Sequence, residues 1–305
     1  MKYICAQPAT IYFGWQIDVM LHSFVTTGVN LSDVQIVCSV QGKIDGYFSI
    51  LKDKYPDVEF FYYEDTRHDK NYISSIRPHI LRKHFYANQY LSNEIVMYHD
   101  CDIAFTKPLV LPNEVYEDDV CYLSDTISYI GHDYIISKGE VVLETMCNIV
   151  GIEKEIVKNN QESSGGAQYI MKGIDHNFWF DVENDCSRLH KEVTALNKKI
   201  VEEKKDSDPN YNPLQIWCAD MWGVLWNLWK RNKKTEVIDE LKFSWSVYGE
   251  KDWHKSAIYH NAGVTVDHKD LFYKGAYTNK LPDLNLDIKK DSCSAKYYRL
   301  IQQAL

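Results

Sequence analysis

No two of the eight cysteines, at positions 5, 38, 101, 121, 147, 186, 218 and 293, stand at a CxxC spacing, and none has a close neighbour with which a pattern of pairs could be built. A secreted disulfide framework belongs to chains under about 100 residues with small cores. In a chain of 305 residues the cysteines, most of them inside apolar stretches, read as buried free thiols of a reducing compartment. Long apolar runs are also missing: nothing approaches the roughly 20 residues that span a bilayer. Met1 to Ala6 lacks the charged and apolar regions of a signal peptide, so the expectation is a cytoplasmic protein with no membrane span. Basic charge is scarce too. With 34 Lys and Arg against 43 Asp and Glu the net charge is −9, and no basic stripe offsets it, which argues against a nucleic-acid partner. Repeats of 20 to 50 residues and low-complexity tracts are absent, excluding solenoids and propellers.

What is present is an enzyme-sized globular composition, 45% hydrophobic, 25% charged and 13% aromatic. Short apolar runs alternate with amphipathic stretches: Tyr3 to Ala6 then Ile11 to Thr27, Val34 to Val40 then Asp45 to Lys54, Val58 to Tyr63 then Ile73 to Tyr90, and then Ile95 to Tyr98. Strand, helix, strand, helix predicts an α/β protein whose central sheet is mixed, mainly parallel, and flanked by helices. Beyond Phe105 the reading has strands at Val120 to Ser124 and Tyr134 to Ser137, a helix at Glu140 to Val150, and a polar, glycine-containing loop at Gln161 to Gly166. A helix within Phe178 to Glu203 and a strongly apolar one from about Leu214 to Trp229 follow, the latter with Trp217, Met221, Trp222, Leu225 and Leu228 at helical spacing as core. The Glu-Glu-Lys-Lys-Asp-Ser-Asp-Pro segment reads as a loop within one domain covering 1–305.

The most informative segment is Ile95-Val-Met-Tyr-His-Asp100-Cys-Asp102-Ile-Ala-Phe, an apolar strand that ends in two aspartates one residue apart. Ligands of open α/β sheets bind beyond the carboxyl ends of the strands. Two carboxylates there are costly unless solvated or shared with a cation. A hard divalent ion, Mn2+ or Mg2+, is the simplest compensation, since it accepts one or two carboxylates and completes its shell with water and phosphate oxygens. The plain alternative is a solvated acidic turn. Asp220 is the other unusual carboxylate, because an acid on a tryptophan-rich helix needs a pocket to face.

Two enzyme classes carry Asp-x-Asp at a strand end. In haloacid-dehalogenase-like phosphatases the motif opens the chain and runs on to Thr or Val at its fifth position, which here is Ala104, a third of the way along. The strand, the Asp-x-Asp and the hundred preceding α/β residues instead resemble the nucleotide-sugar glycosyltransferases of the GT-A fold. That resemblance covers nearly the whole chain and implies a single GT-A-like domain, with a nucleotide-binding half at 1–105 and an acceptor and sugar-binding half at 106–305. It implies that Asp100 and Asp102 hold Mn2+ or Mg2+ with His260, the late histidine of Tyr259-His-Asn-Ala-Gly263, and that Gly263 and Lys274 meet the diphosphate. By the same resemblance Gln7, Pro8 and Thr10 after the first strand hold base and ribose, and Arg77 contacts the nucleotide. Ser163-Ser-Gly-Gly-Ala-Gln168 looks like the small-residue loop lining the sugar and acceptor pocket.

Asp125, Asp220 and Gln168 are then the candidates for sugar contact and catalysis. In an inverting transferase a carboxylate deprotonates the acceptor hydroxyl; in a retaining one it orients the sugar while the donor phosphate takes the proton, and the sequence does not choose. Asp125 in Ser-Asp-Thr equally suits a turn cap. The implied activity is transfer from a UDP-linked sugar to a hydroxyl of a glycan or glycoprotein. A nucleotidyltransferase is the alternative enzyme, but residues 5–15 contain Gly14 alone and no Lys or Arg where such enzymes carry a basic glycine-rich loop. A non-catalytic carbohydrate-binding protein on the same scaffold is the third reading, to which the many tyrosines are suited.

Overall fold

Val34 to Val40 illustrates how the first half folds: β-branched residues on both faces make a strand that is buried along nearly its whole length, Gln35 and Ser39 included, the signature of a parallel strand covered on two sides. The computed structural model describes residues 1–305. Its strands, in chain order, are β1 (Lys2–Pro8), β2 (Val34–Val40), β3 (Glu59–Glu64), β4 (Val96–His99), β5 (Ile103–Phe105), β6 (Cys121–Asp125), β7 (Gly165–Met171), β8 (Thr235–Val237), β9 (Phe243–Trp245) and β10 (Ile258–His260). The chain divides into two compact units interleaved along the sequence, one of residues 1–64, 96–116 and 238–305, the other of 65–95 and 117–237.

In the first unit β3, β2, β1 and β4 lie side by side, all parallel. β10 pairs antiparallel with β5 and parallel with β9 in a second small sheet. The helix Ile11–Thr27 follows β1 and stops at Gly28, whose left-handed backbone (φ 83°) lets its N–H return to the carbonyls of Phe24 and Val25. Its buried Trp15 and Val19 share a core with Tyr259, Phe272, Tyr277 and the C-terminal helix Cys293–Ala304, through Tyr297 and Ile301.

In the second unit β6 runs antiparallel to β7 and parallel to β8. Its core is helical: Ile76–Ala87, Glu140–Val150, His176–Lys204 and Ala219–Lys230, with Trp179, Trp222 and Trp226 buried. The long helix is started by Asp175, whose carboxylate accepts from the Phe178 N–H at 3.0 Å. The α/β class and the mainly parallel, helix-flanked sheet are those the sequence predicts. All eight cysteines are buried free thiols, and no helix is long and apolar enough to cross a membrane.

Three local expectations are corrected. Tyr134 to Ser137 is not a strand: Tyr134, Ile135 and Ile136 belong to the short helix His132–Ile136 and Ser137 caps it, because a run of three apolar residues has no readable period. The loop expected through Gly166 and on to Gln168 ends at Ser164; Gly165 to Gln168 open β7. Its glycines are required by strand pairing, since a Cβ on Gly165 would lie 2.4 Å from the Leu123 side chain. The tryptophan-rich helix begins only at Ala219, after the tight turn Ile216–Cys218, which leaves Trp217 62% exposed and outside the core.

His84, inside the helix Ile76–Ala87, is fully buried, and burial pushes its imidazole down to about 4. Its value in the unfolded chain is about 6.5, so below that pH the unfolded state takes up a proton that the native state refuses. Stability from this group is therefore complete above about pH 6.5 and is lost as pH falls to about 4, on the order of 2–3 kcal/mol. Urea unfolding of wild type and His84→Gln at pH 7.5 and 4.5 checks this: the variant should lose less on acidification, and equal losses would contradict it.

Candidate functional site

β4 ends at His99 and β5 begins at Ile103, so Asp100, Cys101 and Asp102 form the turn between them, at the carboxyl end of a parallel strand. The register Cys5↔His99 between β1 and β4 brings Gln7, Pro8 and Thr10 to the same end of the sheet. Thr10 stands at the start of the helix Ile11–Thr27, and Gln7 is nearly buried. β10 then delivers the third group. Its register His260↔Ile103, continued by the bond from Asn261 N–H to the Asp102 carbonyl (2.8 Å), places the imidazole over the aspartates. Nε2 of His260 lies 3.3 Å from Asp102 Oδ1 and 3.8 Å from Asp100 Oδ2.

One ligand atom from each of Asp100, Asp102 and His260 lies within 4.8 Å of the others. The imidazole is held mainly by rings: Trp245 stacks on it at 6.0 Å with an interplanar angle of 16°, and Phe243 meets it edge-on at 5.2 Å. Its buried Nδ1 has no hydrogen-bond partner. Nε2 is thus the nitrogen turned to the carboxylates, and two carboxylate oxygens with one imidazole nitrogen are a donor set suited to Mn2+. His99, buried beside them, donates from Nδ1 to the carbonyl of Asp100 (2.9 Å), and burial pushes it down to about 4, keeping it neutral.

Lys274 stands in the short turn Lys274–Tyr277 and places its ammonium on Asp102 Oδ2. Burial by itself would raise the Asp102 carboxyl, but Lys274 and His260 together outweigh it and hold the group well below the usual carboxylate range. In return, Asp102 and Tyr12 overcome the burial of Lys274 and push it up to about 12. Both are charged at neutral pH. Tyr12 is a neighbour the sequence did not single out: burial is the main cause of its raised value, and Lys274 and Asp102 act on it with opposite signs. At the second position of the helix Ile11–Thr27, Tyr12 carries no motif that would have marked it. Gly263 has φ 82°, a conformation reserved for glycine, and follows three residues after His260.

The candidates of the second unit meet one another in pairs. Arg77 and Asp220, proposed separately for nucleotide contact and catalysis, form a direct ion pair. The Tyr72 hydroxyl lies 2.5 Å from the other Asp220 oxygen and 2.8 Å from the Trp217 carbonyl, and it accepts the Asp220 N–H at 3.0 Å. Burial, and then Asp220, push the Tyr72 phenol far above its ordinary value. Asp220 is therefore an engaged carboxylate facing Arg77 and Tyr72. Asp125 ends β6, exposed, and accepts the Ile127 N–H at 3.2 Å, as a turn cap does.

Gln168 is completely buried; its Oε1 accepts from Ser124 Oγ at 2.6 Å while its Nε2 has no partner. Next to it Ala167 has φ 67°, rare for a residue with a Cβ, and the β6–β7 register shifts between Leu123 and Ser124. A buried orphan donor beside a strained residue and a bulge is the kind of arrangement found where a ligand is held.

No protein-family model and no curated protein matches the sequence. Among solved structures it is similar to the bifunctional glycosyltransferase WbbM in its apo form (TM-score 0.48, 10% identity, 87% of this chain and 46% of that one). It is also similar to mouse xyloside xylosyltransferase 1, apo form (0.38, 8%, 85% and 96%), and to the mannosyltransferase PcManGT from Pyrobaculum calidifontis in complex with GDP-Man and Mn2+ (0.28, 13%, 75% and 71%). The chain spans about half the length of WbbM.

Proposed function

We propose that this protein is a metal-dependent glycosyltransferase that moves a sugar from a nucleoside-diphosphate donor, UDP-linked, to a hydroxyl of a glycan or glycoprotein acceptor. The observation that carries this reading is the convergence of Asp100, Asp102, His260 and Lys274 at the carboxyl end of β4. Asp100, Asp102 and His260 are the residues that would hold Mn2+ (or Mg2+), which supplies Lewis-acid stabilisation of charge on a leaving diphosphate when bound. Lys274, tethered to Asp102 by a flexible stem, adds a mobile positive charge for the same phosphates. Gln7, Pro8 and Thr10 line the approach to the nucleotide, with Gly263 allowing close backbone approach to the diphosphate.

Gln168, with its unspent buried donor, and Asp125 are assigned to the sugar. Asp220 and Arg77 neutralise each other, so Asp220 is better suited to positioning than to proton abstraction, and Arg77 reaches a nucleotide only by sharing that partner. The eight buried thiols suit a reducing compartment such as the cytoplasm.

Thermal unfolding with UDP, GDP, their sugars and UTP, with and without Mn2+, tests the reading. A ligand that binds only the native state raises the midpoint in proportion to RT ln(1 + [L]/Kd). UDP is expected to stabilise strongly with Mn2+ and weakly in EDTA. Equal shifts in both conditions would remove the metal from the donor site, and stabilisation by UTP with Mn2+ alone would favour a nucleotidyltransferase.

A further inference from the structure

The first unit contains a cavity of about 400 Å3 that the donor site does not use, walled by Tyr248, His268, Asp270, Lys289, Asp291 and the turn around Gly249. Its volume falls in the roughly 300–1,000 Å3 range of small-molecule sites. The walls are tied to one another through the backbone. Cys293 N–H donates to the Tyr248 carbonyl (2.9 Å), Glu250 N–H to the Asp291 carbonyl (2.8 Å), and Lys289 N–H to the Asp270 carbonyl (2.8 Å). Three chain segments are thereby fixed around one space before any ligand arrives, which lowers the entropic cost of binding.

The chemistry of the lining selects the ligand. Tyr248, 45% exposed beside an equally exposed Val247, gives the cavity lining an aromatic ring next to an apolar side chain. Asp270 and Asp291 offer exposed carboxylates, which accept from hydroxyls, and Lys289 an exposed ammonium, which donates. The Thr265 N–H donates to His268 Nδ1 at 3.1 Å, so that nitrogen is unprotonated and the ring proton sits on Nε2 as a further donor. Two carboxylates against one ammonium leave carboxylates in excess in the lining, which disfavours a phosphate or an acidic sugar. Asp270 and Asp291 do not come together with a third ligand as Asp100, Asp102 and His260 do, so the lining is not a metal cage.

We infer that this cavity binds a neutral, hydroxyl-rich sugar ring, its hydroxyls bonded by Asp270, Asp291, Lys289 and His268 and its C–H face laid on Tyr248. The segment that supplies His268 and Asp270 runs from His260 to Lys274. A bound sugar therefore braces the loop whose two ends carry the metal-site imidazole and the ammonium. Identifying this sugar as a unit of the acceptor rests on the glycosyltransferase reading; the binding itself does not.

The test uses the full chain in EDTA and the methyl glycosides of glucose, galactose, mannose and N-acetylglucosamine, with methyl glucuronide as the anionic control, followed by saturation-transfer NMR. At least one neutral glycoside is expected to bind, with methyl glucuronide weaker than methyl glucoside. Asp270→Ala, Asp291→Ala and Tyr248→Ala, all at exposed positions, are each expected to weaken the neutral glycoside about tenfold with unchanged melting temperature. No binding by any neutral glycoside, preference for the glucuronide, or binding unchanged in all three variants would overturn the inference. Asp102→Asn separates the two readings, because it is expected to keep glycoside binding in EDTA while losing the Mn2+-dependent response to UDP. If wild type lacks that response but binds glycoside, the transferase reading falls and the sugar site stands.

Discussion

Asp102→Asn is expected to reduce metal-dependent donor hydrolysis and sugar transfer by roughly a hundred- to a thousandfold, the scale on which enzymes depend on one preorganised electrostatic element. The size follows from how much meets at that carboxylate. One oxygen faces His260 Nε2 at 3.3 Å and the other carries the Lys274 ammonium. The amide keeps the shape but removes the charge that both partners need. Lys274 is then left partly buried, at 27% exposure, without its counter-ion, and a metal ion held by Asp100, Asp102 and His260 would lose an anionic ligand. Steady-state kinetics with UDP-sugars across a Mn2+ titration measure the effect, and a folded Asp102→Asn enzyme with undiminished Mn2+-dependent hydrolysis would refute the assignment. His260→Gln should weaken the metal response by less, since it leaves both carboxylates in place.

Trp15→Ala is expected to cost about 3–5 kcal/mol in unfolding free energy, the usual range for deleting a buried tryptophan. The indole is fully buried in the helix Ile11–Thr27, donates from Nε1 to the Tyr277 carbonyl at 3.3 Å, and meets Phe272 edge-on at 5.9 Å. Phe272 in turn stacks on Tyr277 at 5.6 Å. These contacts hold the segment that carries Lys274, so the variant should also weaken nucleotide binding although it touches no ligand. Trp15→Phe retains most of the apolar volume and loses only the hydrogen bond and part of the packing, for about 1–2 kcal/mol. Urea unfolding of both variants checks the order, and a loss below about 1 kcal/mol for alanine would show that the site collapses around the gap.

Long elements were legible at once. The strand Val34–Val40 and the helix Ile11–Thr27 have the bounds their sequence suggests because each is a long, mostly buried run ended by polar or glycine residues, and Glu140–Val150 has them because its burial repeats at helical spacing. Tyr134 to Ser137 was not legible, since four residues between two glycines fit either state. Trp217 was misplaced in the core because its spacing matches the helix behind it, while the turn that lifts it out carries no sequence mark. Tyr12 and Tyr72 were missed for a related reason: each is an unremarkable tyrosine until a distant residue, Lys274 or Asp220, comes against it.

The sequence by itself determined the α/β class, the buried free cysteines, and the Asp100-Cys-Asp102 turn after an apolar strand, since all three follow from patterns within a few neighbouring residues. Tertiary structure alone decided which carboxylates are paired and with what. Asp102 gains His260 and Lys274 from about 160 to 170 residues away through strand register and one short turn, while Asp220 is taken by Arg77 and Tyr72. Charge interactions act at a few ångströms and chain order does not record such distances, so two aspartates that look alike in sequence end with different partners.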